Sequence, residues 1–197
     1  MRRWGWVAGI VVSLGTAELA LGYDPAGEFT RGTLVVTPHA GGGIINNVEG
    51  HERVTTITQV SGTIRVSLLP LDPIGKGFWH GSLETGLEPW FQYYPEQEAT
   101  AEGLKAAFRY HFLGVSPLFP YVEVLGGGGG SSLNVREVDS DFTFVMEAGA
   151  GLSYFVAEGV ALTLGYRFQH ISNGNVDTPN RGFNSDTGVL GLSFFFH

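Results

Sequence analysis

The chain has 197 residues, enough for one domain, and its formal net charge is −8. Only 15% of the residues are charged, below the roughly 25% usual for soluble domains, and 30 glycines and 13% aromatics accompany this low share. The composition therefore favours a membrane β-barrel over a cytosolic enzyme. The negative charge argues against a nucleic-acid partner, and the absence of cysteine excludes disulfides, thiolate metal sites and a cysteine nucleophile.

Residues 1–22 have the pattern of a secretory signal peptide: a positively charged start, an apolar core and a cleavage site of small residues. In order, these are Arg2 and Arg3, then Trp4–Ala17, then Ala20-Leu21-Gly22. The apolar core is too short to span a membrane as a helix. We therefore expect export of the protein and cleavage before Tyr23.

Alternation of polar and apolar residues, interrupted by turn residues, predicts eight β-strands in the rest of the chain. The predicted strands are Thr33–Gly41, Val54–Leu68, Trp79–Tyr93, Ala101–Phe112, Phe119–Leu125, Phe142–Val156, Val160–Phe168 and Asp186–His197. Most are long enough to cross an outer membrane when tilted, and bacterial barrels have an even number of strands from eight upward.

The two faces of these strands differ in a way that favours a membrane barrel. One face is rich in Phe, Tyr, Trp and Leu, as lipid contact requires. The other carries both signs of charge: Arg65, Glu84, Glu88, Lys105, Arg109, Glu147 and Arg167. Eight strands enclose a space just wide enough for side chains, so these charges would fill the lumen. Residues 23–197 are therefore predicted to form one all-β domain, an eight-stranded antiparallel transmembrane β-barrel in the bacterial outer membrane. A soluble barrel with its apolar face inward is the alternative fold.

Five consecutive glycines at positions 126–130 raise the question of a phosphate-binding loop. Such a loop needs a helix directly after the glycines, and no helical pattern follows here. We therefore predict a strand bend or a segment of closely packed backbone.

The residues with the clearest chemical potential are His170 and Ser172. Residues two apart in a strand point to the same face, with Cα atoms about 7 Å apart, and a serine becomes a good nucleophile when a neighbouring base takes its proton. Both residues continue the apolar, lipid-facing parity of the seventh strand. They are either a catalytic pair at the membrane boundary or part of a polar turn beyond the end of the strand.

The run HISNGNVDTPNRG resembles the signature of the lipid A 3-O-deacylase family (the PagL type, also described as acyloxyacyl hydrolase-like). The matching residues are His170, Ser172, Asn173, Pro179, Asn180 and Gly182. The resemblance implies an outer-membrane barrel that hydrolyses the ester-linked 3-hydroxyacyl chain of lipid A. Lipid A or lipopolysaccharide would be the substrate and outer-membrane lipids the surroundings. Ser172 would be the nucleophile and His170 the general base.

The third member of the site departs from the family pattern. In the family a glutamate orients the histidine, but this chain has Asn184 two residues after Gly182. Asparagine can hold an imidazole tautomer but cannot stabilise its positive charge. Asp186 shares the parity of Asn184 and is the alternative candidate. Asn173 and Asn180 are candidates for oxyanion donors, or they bond the backbone of the turn.

Three functions remain open from the sequence. They are a lipid A esterase, a non-catalytic lipid-binding or structural barrel that has lost the acidic residue, and a hydrolase of phospholipid esters. The other histidines show no ligand spacing, so we expect neither a metal site nor a cofactor. A homodimer is one assembly that the sequence leaves open.

Overall fold

A computed structural model describes residues 24–46, 57–135 and 137–197. The expected signal peptide lies outside the described residues, as do positions 54–56 of the predicted second strand. Within the described ranges, no helix is long and apolar enough to cross a membrane.

Eight antiparallel strands form a closed barrel, as the alternation predicts. Each strand pairs with its neighbour in the chain, and the first pairs with the last. The strands are β1 (Leu34–Asn46), β2 (Thr58–Leu68), β3 (Gly81–Tyr94), β4 (Ala99–Phe112), β5 (Leu118–Ser131), β6 (Phe142–Ala157), β7 (Val160–Ser172) and β8 (Phe183–Phe196). Short 3-10 segments cover Pro25–Glu28, Gly77–Trp79 and Pro95–Gln97.

Some strand boundaries differ from the prediction. Trp79 belongs to a 3-10 segment rather than to β3, and β7 continues as far as Ser172. The glycine run lies inside β5, which explains why alternation could not reveal the full strand. A Cβ atom at Gly127 would collide with the carbonyl oxygen of Leu104 on β4, and one at Gly129 with a neighbouring carbonyl. These glycines therefore form closely packed backbone, one of the two predicted outcomes.

The two ends of the barrel are different. At one end, called the terminal end here, β1 begins and β8 finishes, and β6 and β7 are joined by a two-residue turn at 158–159. At the opposite end, called the loop end, the connections include residues 95–98, 132–141 and 173–182. Both His170 and Ser172 lie at the loop end of β7.

The predicted assignment of the two faces is confirmed. On β7, for example, Leu164 is 59% exposed on the outside, whereas Arg167 is 4% exposed in the lumen. All seven charged residues that were predicted to fill the lumen are buried there: Arg65, Glu84, Glu88, Lys105, Arg109, Glu147 and Arg167. The large apolar side chains of the opposite parity remain on the outer surface, where a membrane would cover them.

Two glutamates in the lumen, Glu88 and Glu123, each bind several cationic side chains. The Glu88 carboxylate lies 2.7 Å from Arg65 Nη2, 2.8 Å from Arg167 Nη1 and 2.9 Å from Lys105 Nζ. Glu123, on the strand whose facing the sequence did not reveal, accepts hydrogen bonds from Arg109 and Arg167. A cavity of about 10 Å³ beside this network has room for no more than about one water molecule. At this level the lumen is filled by side chains.

Apolar clusters lie at each end of the charged layer. At the terminal end, Phe29 enters the barrel, and its ring packs 5.3 Å from Phe119 and 5.4 Å from Phe195. At the loop end, a second cluster includes Ile171 and Phe183, which are 0% and 3% exposed. Because Ile171 is anchored inward, its neighbours on β7 in the sequence must point outward.

We expect that Glu88→Ala destabilises the barrel by about 3–5 kcal/mol, because it leaves three buried cations without their shared counter-ion. Urea unfolding in detergent, followed by heat-modifiable electrophoretic mobility, measures this loss. Glu158→Ala, in the exposed turn between β6 and β7, is the matched control and should leave the transition unchanged. Equal transitions for the two variants would contradict a stabilising role for the lumen network.

Candidate active site

His170 is held by a hydrogen bond that it donates to the neighbouring strand, β8. Its Nδ1 atom lies 2.7 Å from Oδ1 of Asn184, the residue directly opposite it on β8. An amide oxygen can only accept a hydrogen bond, so the imidazole carries its proton on Nδ1. The lone pair of Nε2 is then available to take a proton from another group.

Ser172 lies two residues beyond His170 on the same outward face, opposite Phe144 of β6. In the part of the chain that the structure describes, neither its hydroxyl nor Nε2 of His170 has a hydrogen-bond partner. The two side chains thus share a face but are not bonded to each other. Such contacts often form only when substrate is bound.

Gly182 packs against the imidazole ring of His170. It has a φ of +66°, and a Cβ atom there would lie 2.9 Å from Cε1 and 3.2 Å from Nε2 of His170. The backbone N–H groups of Arg181 and Gly182 both donate to the carbonyl oxygen of Glu137, in the loop between β5 and β6. This contact gives the family glycine a physical role that the sequence pattern alone did not reveal.

Asn173 and Asn180 organise the loop between β7 and β8. The buried Asn173 side chain donates from Nδ2 to the carbonyl oxygen of Asp177 and accepts from the backbone N–H of Asn175. Oδ1 of Asn180 accepts from the backbone N–H of Asn173, and its Nδ2 donates to Asn175. In this conformation both amides bond the turn, which is the second of the two roles considered for them.

Asp186 occupies the same outer face as Asn184, two residue pairs further from the loop end. It lies opposite Phe168 on β7, and its carboxylate accepts a hydrogen bond from the hydroxyl of Tyr166. Sequence reasoning did not identify Tyr166 as a partner, because the two residues are 20 positions apart. Of the two candidates for the third member of the site, Asn184 is the one bonded to His170.

The surroundings of the pair are apolar. Phe144 and Met146, opposite Ser172 and His170 on β6, are 44% and 67% exposed on the outer surface. A strand of 13 residues, tilted by about 40°, rises about 30 Å. The apolar band of such barrels is about 25 Å tall, so β7 is long enough to cross it, and Ser172 is the last residue of this strand at the loop end.

The bond to Asn184 predicts a single neutral tautomer of His170. In ¹⁵N spectra of the histidine-labelled barrel, we expect the Nδ1–H form in the wild type and a mixture of forms in Asn184→Ala, because the acceptor is lost. The signal of His80, which is exposed at the terminal end, serves as an internal control and should not change. An unaltered His170 spectrum in the variant would refute the orienting role of Asn184.

Comparison with known proteins agrees with this geometry. Residues 69–193, more than half of the chain, match the family model described as lipid A 3-O-deacylase (PagL). No curated protein sequence gives a significant match. The crystal structure of Neisserial surface protein A (NspA) superposes with a TM-score of 0.58 at 19% identity, covering 84% of this chain and 100% of that one.

The crystal structure of the outer membrane enzyme PagL gives a TM-score of 0.57 at 18% identity, covering 78% of this chain and 97% of that chain. At these identities, the two structures establish the shared barrel fold and nothing finer. Taken with the family match, the closed barrel of this chain identifies an outer-membrane protein. The chain therefore belongs to the lipid A 3-O-deacylase (PagL) family.

Proposed function

We propose that the protein is an outer-membrane serine esterase that removes the ester-linked 3-hydroxyacyl chain of lipid A. The observation that carries this proposal is the hydrogen bond from His170 Nδ1 to Asn184, because it leaves Nε2 basic on the face that also presents Ser172. Family membership supports the reaction class, and the apolar side chains beside the pair support a membrane lipid as the substrate.

In the proposed mechanism, the Ser172 hydroxyl attacks the ester carbonyl carbon while Nε2 of His170 removes its proton. The tetrahedral intermediate collapses, the bond from the carbonyl carbon to the sugar oxygen breaks, and the imidazolium returns the proton to the leaving alkoxide. Water, activated by His170, then hydrolyses the acyl-enzyme and regenerates Ser172. In this proposal His170 stays bonded to Asn184, and rotation of Ser172 about χ1 brings its hydroxyl towards Nε2.

In this proposal, Asn184 and Asp186 together perform the two tasks of one carboxylate in the family pattern: orienting the imidazole and stabilising its positive charge. Asn184 holds the imidazole tautomer and orientation, but as a neutral group it does not compensate the charge of the imidazolium. Asp186, about 7 Å further along the same face, supplies a negative charge in apolar surroundings, where Coulomb interactions are strong. In this proposal Asn184 orients the base and Asp186 stabilises its protonated form.

Asn173 and Asn180 contribute as positioning residues. Their amide groups hold the loop that carries Gly182, and Gly182 packs against the ring of His170. The two asparagines would thus keep the imidazole in place without contacting the substrate. Donation to the oxyanion, the other role considered for them, would require the loop to rearrange when the substrate binds.

The position of the pair suits a lipid of the outer leaflet. Outer-membrane barrels have short periplasmic turns and longer loops at the cell surface. Two of the three connections at the terminal end are short, residues 113–117 and 158–159, whereas residues 69–80 form a longer one. In this proposal the loop end is the cell-surface side. A lipid A molecule in that leaflet could present its ester group to Ser172 without leaving the membrane. A phospholipid ester could reach the same place, and analysis of both lipid classes from expressing cells distinguishes the two substrates.

A non-catalytic barrel is the second candidate function. The observation that favours it is the neutral Asn184 at the position where the family pattern has glutamate. If the imidazolium received too little stabilisation, the same outer surface would bind lipid without cleaving it. The effect of restoring the glutamate distinguishes these two candidates.

We expect mass spectrometry of lipid A from expressing cells to show loss of one 3-hydroxyacyl chain with the wild type and intact lipid A with Ser172→Ala. Ser140→Ala, in the neighbouring loop between β5 and β6, is the matched control and should retain activity. Intact lipid A with the wild type would reject the deacylase assignment. Cleaved phospholipids together with intact lipid A would identify a phospholipid esterase instead.

We expect Asn184→Glu to raise the deacylation rate by roughly 10–100-fold, because a carboxylate stabilises the imidazolium that forms in the transition state. Asn184→Ala should lower the rate, and Asp186→Asn should lower it to a smaller extent. Initial rates in detergent micelles at fixed pH measure all three variants. A complete loss in Asp186→Asn with little effect of Asn184→Ala would exchange the two proposed roles.

A further inference from the structure

A polar pair lies on the outer wall, closer to the middle of the barrel than His170 and Ser172. The hydroxyl of Tyr166, on β7, donates a hydrogen bond to Oδ1 of Asp186, on β8. Tyr166 is 49% exposed on the outer surface, and Asp186 is partly exposed beside it. The proposed reaction uses the charge of Asp186 but not the hydroxyl of Tyr166, so the bond between them needs an explanation of its own.

The surroundings of the Tyr166–Asp186 pair are apolar. Leu164, the next outward residue on β7, is 59% exposed, and Leu190 on β8 is 55% exposed. An ionisable residue on a lipid-facing wall costs free energy and therefore points to a function. A carboxylate has two oxygens with about four lone pairs, so Asp186 can accept a hydrogen bond from Tyr166 and another from a ligand at the same time.

Small residues beside the pair leave it accessible from the lipid side. On β6, the outward residues opposite Phe168 and Tyr166 are Ala148 and Ala150, and both are exposed. On β8, Gly188 lies opposite Tyr166, and a Cβ atom there would come no closer than 4.0 Å to another residue. An extended ligand that lies along the wall can therefore contact the pair.

The order of polar groups along the wall matches their order in the proposed substrate. Counted from the loop end, Ser172 and His170 come first, and Asp186 follows opposite Phe168, one outward position beyond His170. One outward position is two residues, or about 7 Å. In a 3-hydroxyacyl ester, the carbonyl carbon comes first and the hydroxyl is carried two carbons further along the chain. A chain that extends from Ser172 towards the middle of the membrane thus carries its hydroxyl towards Asp186.

We propose that Asp186, held by Tyr166, recognises the hydroxyl group on carbon 3 of the acyl chain that is cleaved. The hydroxyl donates a hydrogen bond to the carboxylate, and the bond from Tyr166 keeps the carboxylate in position to accept it. Asp186 is then a specificity-determining residue, and Tyr166 is its positioning residue. This inference rests on the proposed function, which supplies the substrate class. A chain without the hydroxyl brings only apolar groups against the carboxylate, which disfavours its binding.

Two synthetic lipids test this recognition. Both are phosphorylated glucosamine lipids with one ester-linked chain, and they differ only in whether carbon 3 of that chain carries a hydroxyl. We expect the wild type to cleave the hydroxylated lipid with a kcat/KM roughly 10–100-fold higher, the contribution of one hydrogen bond to a charged group. Stabilisation of the imidazolium by Asp186 affects both lipids alike, so it cancels in this ratio.

Variants of the pair assign the preference to its two members. Asp186→Ala should bring the ratio close to unity, and Tyr166→Phe should give an intermediate ratio, because the carboxylate keeps its charge but loses its fixed position. Tyr93→Phe, which removes a tyrosine hydroxyl from the outer face of β3, is the matched control and should keep the wild-type ratio. If heat-modifiable mobility shows that Asp186→Ala does not fold, Asp186→Asn takes its place and should also lower the ratio, since a neutral acceptor forms a weaker bond.

Two results would overturn the recognition and leave the esterase intact. They are a wild-type ratio close to unity, and a wild-type ratio that persists in the Asp186 variant. A ratio that falls in the Asp186 variant but not in Tyr166→Phe would overturn the positioning role of Tyr166.

An inactive wild type would reject the esterase proposal, and binding would then decide the recognition. Native mass spectrometry of Ser172→Ala in detergent, mixed with equal amounts of the two lipids, resolves the two complexes because the lipids differ by one oxygen atom. A preference for the hydroxylated lipid that is weakened in Ser172→Ala/Tyr166→Phe would support the recognition. Equal occupancy by the two lipids would overturn it.

Discussion

In a closed barrel between lipid and a filled lumen, the side chains of each strand alternate strictly between the outer surface and the lumen. The rest of the structure depends on this constraint. Glu88 and Glu123 must point inward, because each compensates several buried cations. Because every second side chain points into the lumen, the side chains between them must point outward. The inward burial of Ile171 therefore places His170 and Ser172 on the outside. Placing a polar pair on a lipid-facing wall costs free energy. The presence of the pair there therefore points to a function, and this makes the candidate site recognisable.

Two neighbouring elements then define the orientation of His170. The register of β7 and β8 sets Asn184 directly opposite, where its amide oxygen accepts the Nδ1 proton. On the other side of the ring, Gly182 is held by the carbonyl oxygen of Glu137 in a different loop. The imidazole is thus positioned by one side chain and by one backbone segment that tolerates no Cβ atom. Neither contact involves a charged group, which distinguishes this site from one built around a carboxylate.

The terminal end of the barrel is closed by apolar side chains. Phe29 and its neighbours fill the terminal end of the lumen. Outside, Phe78 and Trp79 extend the exposed apolar surface at the same end.

By itself, the sequence determined the strand number, the face assignment and the location of His170 and Ser172, because alternation and a short motif are local patterns. Partners that lie far apart in the chain depended on strand register and loop packing, which only the tertiary structure decided. The bonds of His170 to Asn184 and of Tyr166 to Asp186 are of this kind, as is the contact with Gly182. The sequence also did not reveal which face of β5 Glu123 occupies, or how far this glycine-rich strand extends. The reason is that glycine has no side chain to show a polar or apolar face.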